Sequence, residues 1–137
     1  MQIGEIMTSK VEWIDPEETI MDAACKMRDL NIGSLTVMDG GELVGMITDR
    51  DICCRAVCEG RVPATTTVRS IMSTNIAYCF DDQDITEAAH LMEDQHVRRL
   101  AVLDRSKKAV GFVSVDDLAR YSHDLAGEVL EAAAHAH

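Results

Sequence analysis

Aromatic residues are scarce: Phe, Tyr and Trp make up 4% of the 137 residues, within a hydrophobic total of 47%. A core has to be built from Val, Ile, Leu, Met and Ala, and that apolar fraction excludes a wholly disordered chain. Basic charge is scarce too. Thirteen Lys and Arg face 24 Asp and Glu, a formal charge of −11. So negative a surface repels phosphate backbones and anionic lipid, which argues against non-specific binding of nucleic acid or membrane. No apolar run approaches the roughly 18 to 20 residues of a membrane helix. The opening Met1-Gln2-Ile3-Gly4-Glu5 lacks the basic and apolar regions of a secretory signal. The five cysteines (Cys25, Cys53, Cys54, Cys58, Cys79) are odd in number and fall mostly in apolar stretches. That pattern excludes a disulfide scaffold and predicts reduced thiols in a cytoplasmic protein.

What the sequence does contain is a duplication. Ile6-Met7 recurs as Ile71-Met72, an offset of 71 − 6 = 65. At that offset Ile20 meets Ile85, Ala23-Ala24 meet Ala88-Ala89, Met27 meets Met92, Val37 meets Val102 and Asp39 meets Asp104. One inserted residue changes the offset to 66, pairing Gly45 with Gly111, Thr48 with Ser114, Asp51 with Asp117 and Ile52 with Leu118. We read repeat one as 1–58, a linker as 59–67, repeat two as 68–127 and a tail as 128–137.

Each repeat has the same local code. An extended stretch, Val11–Ile14 or Ile76–Phe80, precedes a helix with Thr19 or Asp84 at its N-cap. Ile20, Ala23, Ala24, Met27 and Leu30 share one helical face, repeated by Ile85, Ala88, Ala89 and Met92. The strands Ser34–Met38 and Leu43–Ile47 flank Asp39-Gly40-Gly41, a strong hairpin signal. Their counterparts, Leu100–Leu103 and Val110–Val113, flank a looser loop at Asp104–Lys108. Asp49 and Asp116 open second helices, where the helix dipole favours acids. The order β-α-β-β-α, twice, predicts an α/β (α+β) fold. A unit this small cannot bury its sheet alone, so two units are expected to pack sheet to sheet with pseudo-two-fold symmetry. The tail from Glu128 reads as a fraying helix.

The residues carrying this repeat, Ile6-Met7-Thr8, Gly45-Met46-Ile47-Thr48-Asp49-Arg50-Asp51-Ile52, Val97-Arg98-Arg99-Leu100 and Gly111-Phe112-Val113-Ser114-Val115-Asp116-Asp117-Leu118, resemble a tandem cystathionine-β-synthase (CBS) domain pair, or Bateman module, of the stand-alone bacterial type. The resemblance spans residues 3 to about 122. It implies a non-enzymatic regulatory module that senses energy or metabolite levels. Such modules bind adenosine-containing ligands (AMP, ADP, ATP or S-adenosylmethionine) in the clefts between repeats, require no cofactor, form homodimers and signal to a partner protein. By that resemblance Thr48 and Asp51 work with Ile76, Ala77, Val97, Arg98 and Arg99, with Arg50 close by. Ser114 and Asp117 work with Thr8, Lys10, Val11, Ile32, Gly33 and Ser34. The aspartates address the ribose hydroxyls, in charge-assisted hydrogen bonds. The arginine-rich turn makes the Asp51 cleft the expected home of the more phosphorylated ligand. In both second strands the family commonly has Pro where this chain has Thr36 and Ala101.

Plainer readings stand beside these. Asp51 and Asp117 read equally as acids at helix starts. Cys53, Cys54 and Cys58 lie on one helix, only Cys54 and Cys58 sharing a face, and are expected to be buried or half-buried small residues. The repeated methionines are core or cleft lining, and His90 and His96 surface residues. Nothing nucleophilic accompanies the paired carboxylates, so no catalytic or metal site is expected. Two other function classes remain open: a ligand-independent dimerisation or scaffold module, with Ile52, Ala56, Val57, Leu118 and Tyr121 as candidate contacts, and a cysteine-based redox or metal sensor.

Overall fold

The computed structural model describes residues 1–135. The elements run α1 (Ile3–Ile6), β1 (Trp13–Ile14), α2 (Ile20–Leu30), β2 (Ser34–Asp39), β3 (Glu42–Thr48) and α3 (Asp49–Asp51), which continues into a π-helical segment, Ile52–Val57. The second set is α4 (Val68–Ile71), β4 (Tyr78–Phe80), α5 (Ile85–Gln95), β5 (Arg99–Leu103), β6 (Ala109–Ser114), α6 (Val115–Ala119) and α7 (His123–His135). Two three-stranded sheets form, β1-β2-β3 and β4-β5-β6, each with a parallel first pair and an antiparallel second pair. The mixed α/β architecture with β-α-β-β-α order is as the sequence indicates. Both first strands are shorter than expected.

The compact units do not follow chain order. One consists of Met1–Val11 together with the chain from Ala77 onward; the other is the continuous stretch Glu12–Ile76. Thus α1 docks on repeat two, and α4 docks on repeat one. The docking bonds are equivalent: Ile3 N–H donates to the Gln83 carbonyl and Val68 N–H to the Glu18 carbonyl, both at 2.8 Å. A helix of four residues is unstable alone; burial holds these two. Ile3 and Ile6 join the core of Ala88, Met92, Leu100, Val102 and Val113, while Val68 and Ile71 join that of Ile14, Ile20, Val37 and Ile47. Each fully buried side chain of this kind contributes about 1.5–3 kcal/mol.

Local chemistry explains the remaining joints. Thr19 Oγ1 caps α2 by accepting from Asp22 N–H, and Asp84 caps α5 by accepting from Thr86 N–H. Both helices end on a left-handed residue, Asn31 (φ 55°) and His96 (φ 54°), again equivalent positions. Gly40 and Gly41 both take positive φ in the two-residue β2–β3 turn, the conformation a type I′ hairpin demands. The extra residue of repeat two falls in its looser hairpin, where Asp104 Oδ1 accepts from Ser106 N–H and Lys108 N–H.

Four expectations need correction. Ala24 and Leu30 are exposed on α2, whereas Ala89 is buried on α5. The difference is α7, which packs along α5 and adds Ala126 and Val129 to that core. For the same reason the tail, helical as expected, is anchored over its described part: α7 runs to His135 and Val129 is fully buried. Ala136 and His137, the end of that tail, lie outside the described residues. Cys53, Cys54 and Cys58 are all exposed rather than buried, since among Ile52–Val57 only Ala56 is buried in the core. Ala56 and Leu118 are buried within their own units and offer nothing to a second chain, unlike Val57 and Tyr121, which are exposed.

Candidate functional site

In each unit three segments converge. The first is the strand-to-helix junction. At Thr48 the backbone N–H donates to Asp51 Oδ2 at 2.9 Å, and Asp51 N–H donates back to Thr48 Oγ1 at 3.0 Å. Ser114 and Asp117 repeat this at 2.9 and 3.2 Å, with a further bond from the Ser114 hydroxyl to Asp117 Oδ2 at 3.1 Å. Both are reciprocal caps in which hydroxyl and carboxylate satisfy otherwise orphaned N–H groups. The other carboxylate oxygen faces an arginine: Asp51 Oδ1 lies 4.0 Å from Arg55 Nε, and Asp117 Oδ1 accepts from Arg120 Nη1 at 3.4 Å. Asp117 is 2% exposed, while the Asp51 side chain is 17% exposed. The spacings Asp51–Arg55 and Asp117–Arg120 are helical neighbours, so these partners could have been anticipated.

The second segment is the turn entering the middle strand. Asp49 N–H donates to the Gly33 carbonyl at 3.0 Å, and Val115 N–H to the Arg98 carbonyl at 2.9 Å. These bonds tie each turn to its cap, and strand register sets Ser34 opposite Thr48 and Arg99 opposite Ser114. Arg99 also lies over the Phe112 ring, 4.6 Å from its centroid, a diagonal cross-strand contact. Arg98 is exposed.

The third segment is the crossing strand brought in from the other repeat. Thr8 and Phe112 exchange backbone hydrogen bonds of 2.8 and 2.9 Å; Ser73 and Met46 exchange bonds of 2.8 and 3.0 Å. The glycine of each Gly45/Gly111 pair lies directly beneath. A Cβ on Gly111 would meet the Thr8 carbonyl oxygen and, at 3.0 Å, Met7 Sδ. A Cβ on Gly45 would meet Met72 Sδ at 2.7 Å and the Ser73 carbonyl oxygen at 2.9 Å.

The residues expected to bind ligand thus fall into two sets. Thr48, Arg50, Asp51, Ile32, Gly33, Ser34 and Ile76 belong to the unit Glu12–Ile76, and Thr8, Lys10, Val11, Ala77, Val97, Arg98, Arg99, Ser114 and Asp117 belong to the other. Within a unit the structure joins Ser114 and Asp117 to Thr8 and to the Arg98–Arg99 turn, and Thr48 and Asp51 to the Gly33–Ser34 turn. Among the described residues, no group of three or more His, Cys, Asp or Glu is arranged to hold a metal ion. None of the helices searched there is long and apolar enough to cross a membrane.

A β-α-β-β-α unit repeated in one chain, each copy closed by a hydroxyl–carboxylate cap and a glycine under a crossing strand, is a duplicated α/β module. The chain belongs to the CBS domain family: the family's sequence model matches residues 3–55 and 68–124. It is 35% identical over 135 residues to the CBS domain-containing protein YhcV of Bacillus subtilis, covering 97% of this chain and 95% of YhcV. Hypoxic response protein 1 of Mycobacterium tuberculosis is 35% identical over 118 residues, covering 85% of this chain and 82% of that protein. Its crystal structure, which holds two coordinated zinc ions, superposes with a TM-score of 0.80 over 89% of this chain and 99% of that one, at 33% identity. The CBS domain pair of protein MJ0100, solved with 5′-methylthioadenosine and S-adenosyl-L-methionine, gives a TM-score of 0.77 at 26% identity, covering 88% of this chain and 94% of that one.

Proposed function

We propose that this chain is a non-enzymatic regulatory module that binds an adenosine-containing ligand (AMP, ADP, ATP or S-adenosylmethionine) and passes its occupancy to a partner protein in the cytoplasm, acting as a homodimer. The observation that carries this reading is the duplicated hydroxyl–carboxylate pair, Thr48–Asp51 and Ser114–Asp117. In each pair the cap engages one carboxylate oxygen. A carboxylate has about four acceptor sites; Asp51, bonded only by its cap, retains capacity for both hydroxyls of a ribose, while Asp117, which accepts from Ser114 N–H, the Ser114 hydroxyl and Arg120, retains room for one. The adenosine ligands of the MJ0100 pair support the ligand class. Arg98 and Arg99 supply the cationic turn suited to a phosphate chain, and Lys10 and the Gly33–Ser34 turn are further candidate contacts. Ile32, Ile76, Ala77, Val11 and Val97 supply aliphatic walls for the base. A ligand of this kind shifts the module between states only through its different affinity for them.

Calorimetric titration of nucleotide-stripped protein with AMP, ATP and S-adenosylmethionine in parallel tests the proposal. Saturable binding of one of them is expected, with Trp13, half exposed, as a fluorescence cross-check. Asp51→Ala and Asp117→Ala should each weaken binding by about 1.5–3 kcal/mol, the worth of a charge-assisted hydrogen bond. Loss of the cap alone costs about 1 kcal/mol of stability, so a thermal melt separates the two effects. Unchanged affinity in both variants overturns the ribose assignment. A folded protein that binds none of the three fits instead the ligand-independent dimerisation reading, which the exposed Val57 and Tyr121 favour.

A further inference from the structure

The duplication explains most of the sequence, but it does not explain three thiols. Cys53, Cys54 and Cys58 are all exposed, and the matching positions of repeat two, at the offset of 66, are Ala119, Arg120 and Asp124. Nothing in the duplicated fold requires sulfur there. Cys79 is the contrasting case: it occupies the core position that Ile14 fills in repeat one, and burial pushes its thiol up to about 12.

The backbone beneath the three thiols is unusual. Ile52–Val57 is π-helical, and Cys58 N–H donates to the Cys53 carbonyl at 3.0 Å, five residues back. Arg61 N–H repeats the pattern to Ala56, also at 3.0 Å. In an α-helix only residues three or four apart share a face, which would leave Cys53 turned away from Cys58. The wider i→i+5 turn brings Cys53 back beneath Cys58 while keeping Cys54 beside it. Cys58 therefore stands one turn above two thiols. Neighbours one helical turn apart have Cβ atoms about 5–6 Å apart, and a disulfide needs about 3.5–4.5 Å, so closure requires the local backbone to yield by about 1–2 Å. The adjacent pair, Cys53 and Cys54, project in different directions from the helix axis and do not meet.

We propose that this segment is an oxidation site, in which a hydroperoxide converts Cys58 and one thiol of the preceding turn into an intrachain disulfide. In the first step a thiolate attacks the peroxide O–O bond; the thiol becomes a sulfenic acid and the peroxide leaves as water or an alcohol. In the second step the other thiol attacks the sulfenic sulfur, the S–S bond forms and water departs. Two electrons pass from the two sulfurs to the peroxide. A dithiol reductant reverses the change. The site does not depend on the adenosine proposal.

The experiment uses the full chain, reduced and then treated with hydrogen peroxide. In the native reduced protein, thiol titration should find Cys53, Cys54 and Cys58 fast-reacting and Cys79 unreactive until the chain is unfolded. After peroxide two of the fast thiols should be lost and be recovered with dithiothreitol. Trypsin cuts after Arg50, Arg55 and Arg61, so the expected bridge joins peptide 51–55 to peptide 56–61 in a non-reducing digest, and reduction separates them. Cys58→Ser should abolish that linked species, while Cys53→Ser and Cys54→Ser each retain one. Circular dichroism of the Cys58→Ser protein confirms that it is folded. A covalent dimer on a non-reducing gel, a bridge confined to peptide 51–55, or three thiols unchanged by peroxide would each overturn the proposal.

Discussion

Gly111→Ala adds one methyl group, and its effect can be worked through from the crossing strand. The new Cβ would collide with the Thr8 carbonyl oxygen, and would come within 3.0 Å of Met7 Sδ and 3.3 Å of Ser9 Cα. The sulfur sits on a flexible side chain and can move aside; the backbone carbonyl cannot move without breaking the exchange between Thr8 and Phe112. Those two hydrogen bonds are worth about 1 kcal/mol each. Any outward shift of α1 also begins to uncover Ile3 and Ile6, each worth about 2 kcal/mol when fully buried. A loss of about 2–4 kcal/mol is expected, short of the full sum since the segment yields only partly. Gly127→Ala is the control. Gly127 lies inside α7 with nothing within 4 Å of an added Cβ, so alanine there should stabilise by about 0.5–1 kcal/mol through helix propensity. Urea unfolding followed by circular dichroism gives both numbers from the shift in midpoint at constant slope. A Gly111→Ala protein within about 0.5 kcal/mol of the parent would refute the claim that the crossing strand demands glycine.

Three further outcomes follow from the same geometry. Val129→Ala should cost about 2 kcal/mol, as a buried side chain is truncated in the core that α7 completes; a change below about 0.5 kcal/mol would return α7 to the status of a loose tail. Asp84 is held down to about 2 from its ordinary 3.8, first by the Thr86 hydroxyl and backbone N–H and then by the Met1 amino group. A depressed carboxyl stabilises above its unfolded value and loses that contribution as pH falls, so the stability gap between the parent and Asp84→Asn should be constant above about pH 5 and close as pH approaches 2. A gap independent of pH would rule the ionised cap out. Replacing Arg98 and Arg99 together by Ala should weaken ATP more than adenosine in calorimetry, and an equal loss for both would assign the arginines to structure, Arg99 through Phe112.

Much of this fold is legible in the sequence because the duplication presents each signal twice. The turn at Gly40-Gly41, the caps at Thr19 and Asp84, and the core-facing Ala23, Met27, Ala88 and Met92 are all local patterns that need no tertiary knowledge. What stayed hidden is non-local. Ile6-Met7-Thr8 and Ile71-Met72-Ser73 are near-identical, so no sequence pattern says whether Thr8 should cross Met46 or Phe112; only chain geometry decides. The exposure of the three thiols is hidden for a different reason. A helical wheel assumes a single turn width, and the π segment has another, which leaves Cys53, Cys54 and Cys58 facing water. At the candidate site, the pairs Thr48–Asp51 and Ser114–Asp117 were visible as spacing, but their reciprocal capping was not. A lone helix-start acid and a capping box differ in where the hydroxyl hydrogen bond goes.

The exchange of α1 and α4 between repeats also sets an order of assembly during synthesis. Everything the Glu12–Ile76 unit needs has left the ribosome once residue 76 emerges, and domains generally fold as units as they appear. Met1–Val11, made before that unit, must wait with Ile3 and Ile6 uncovered until β4, α5, β5, β6 and the Val129 turn of α7 arrive to enclose them. A segment made before the Glu12–Ile76 unit thus finds shelter after it. For the intervening time, its protection from proteases and from other nascent chains has to come from outside the fold.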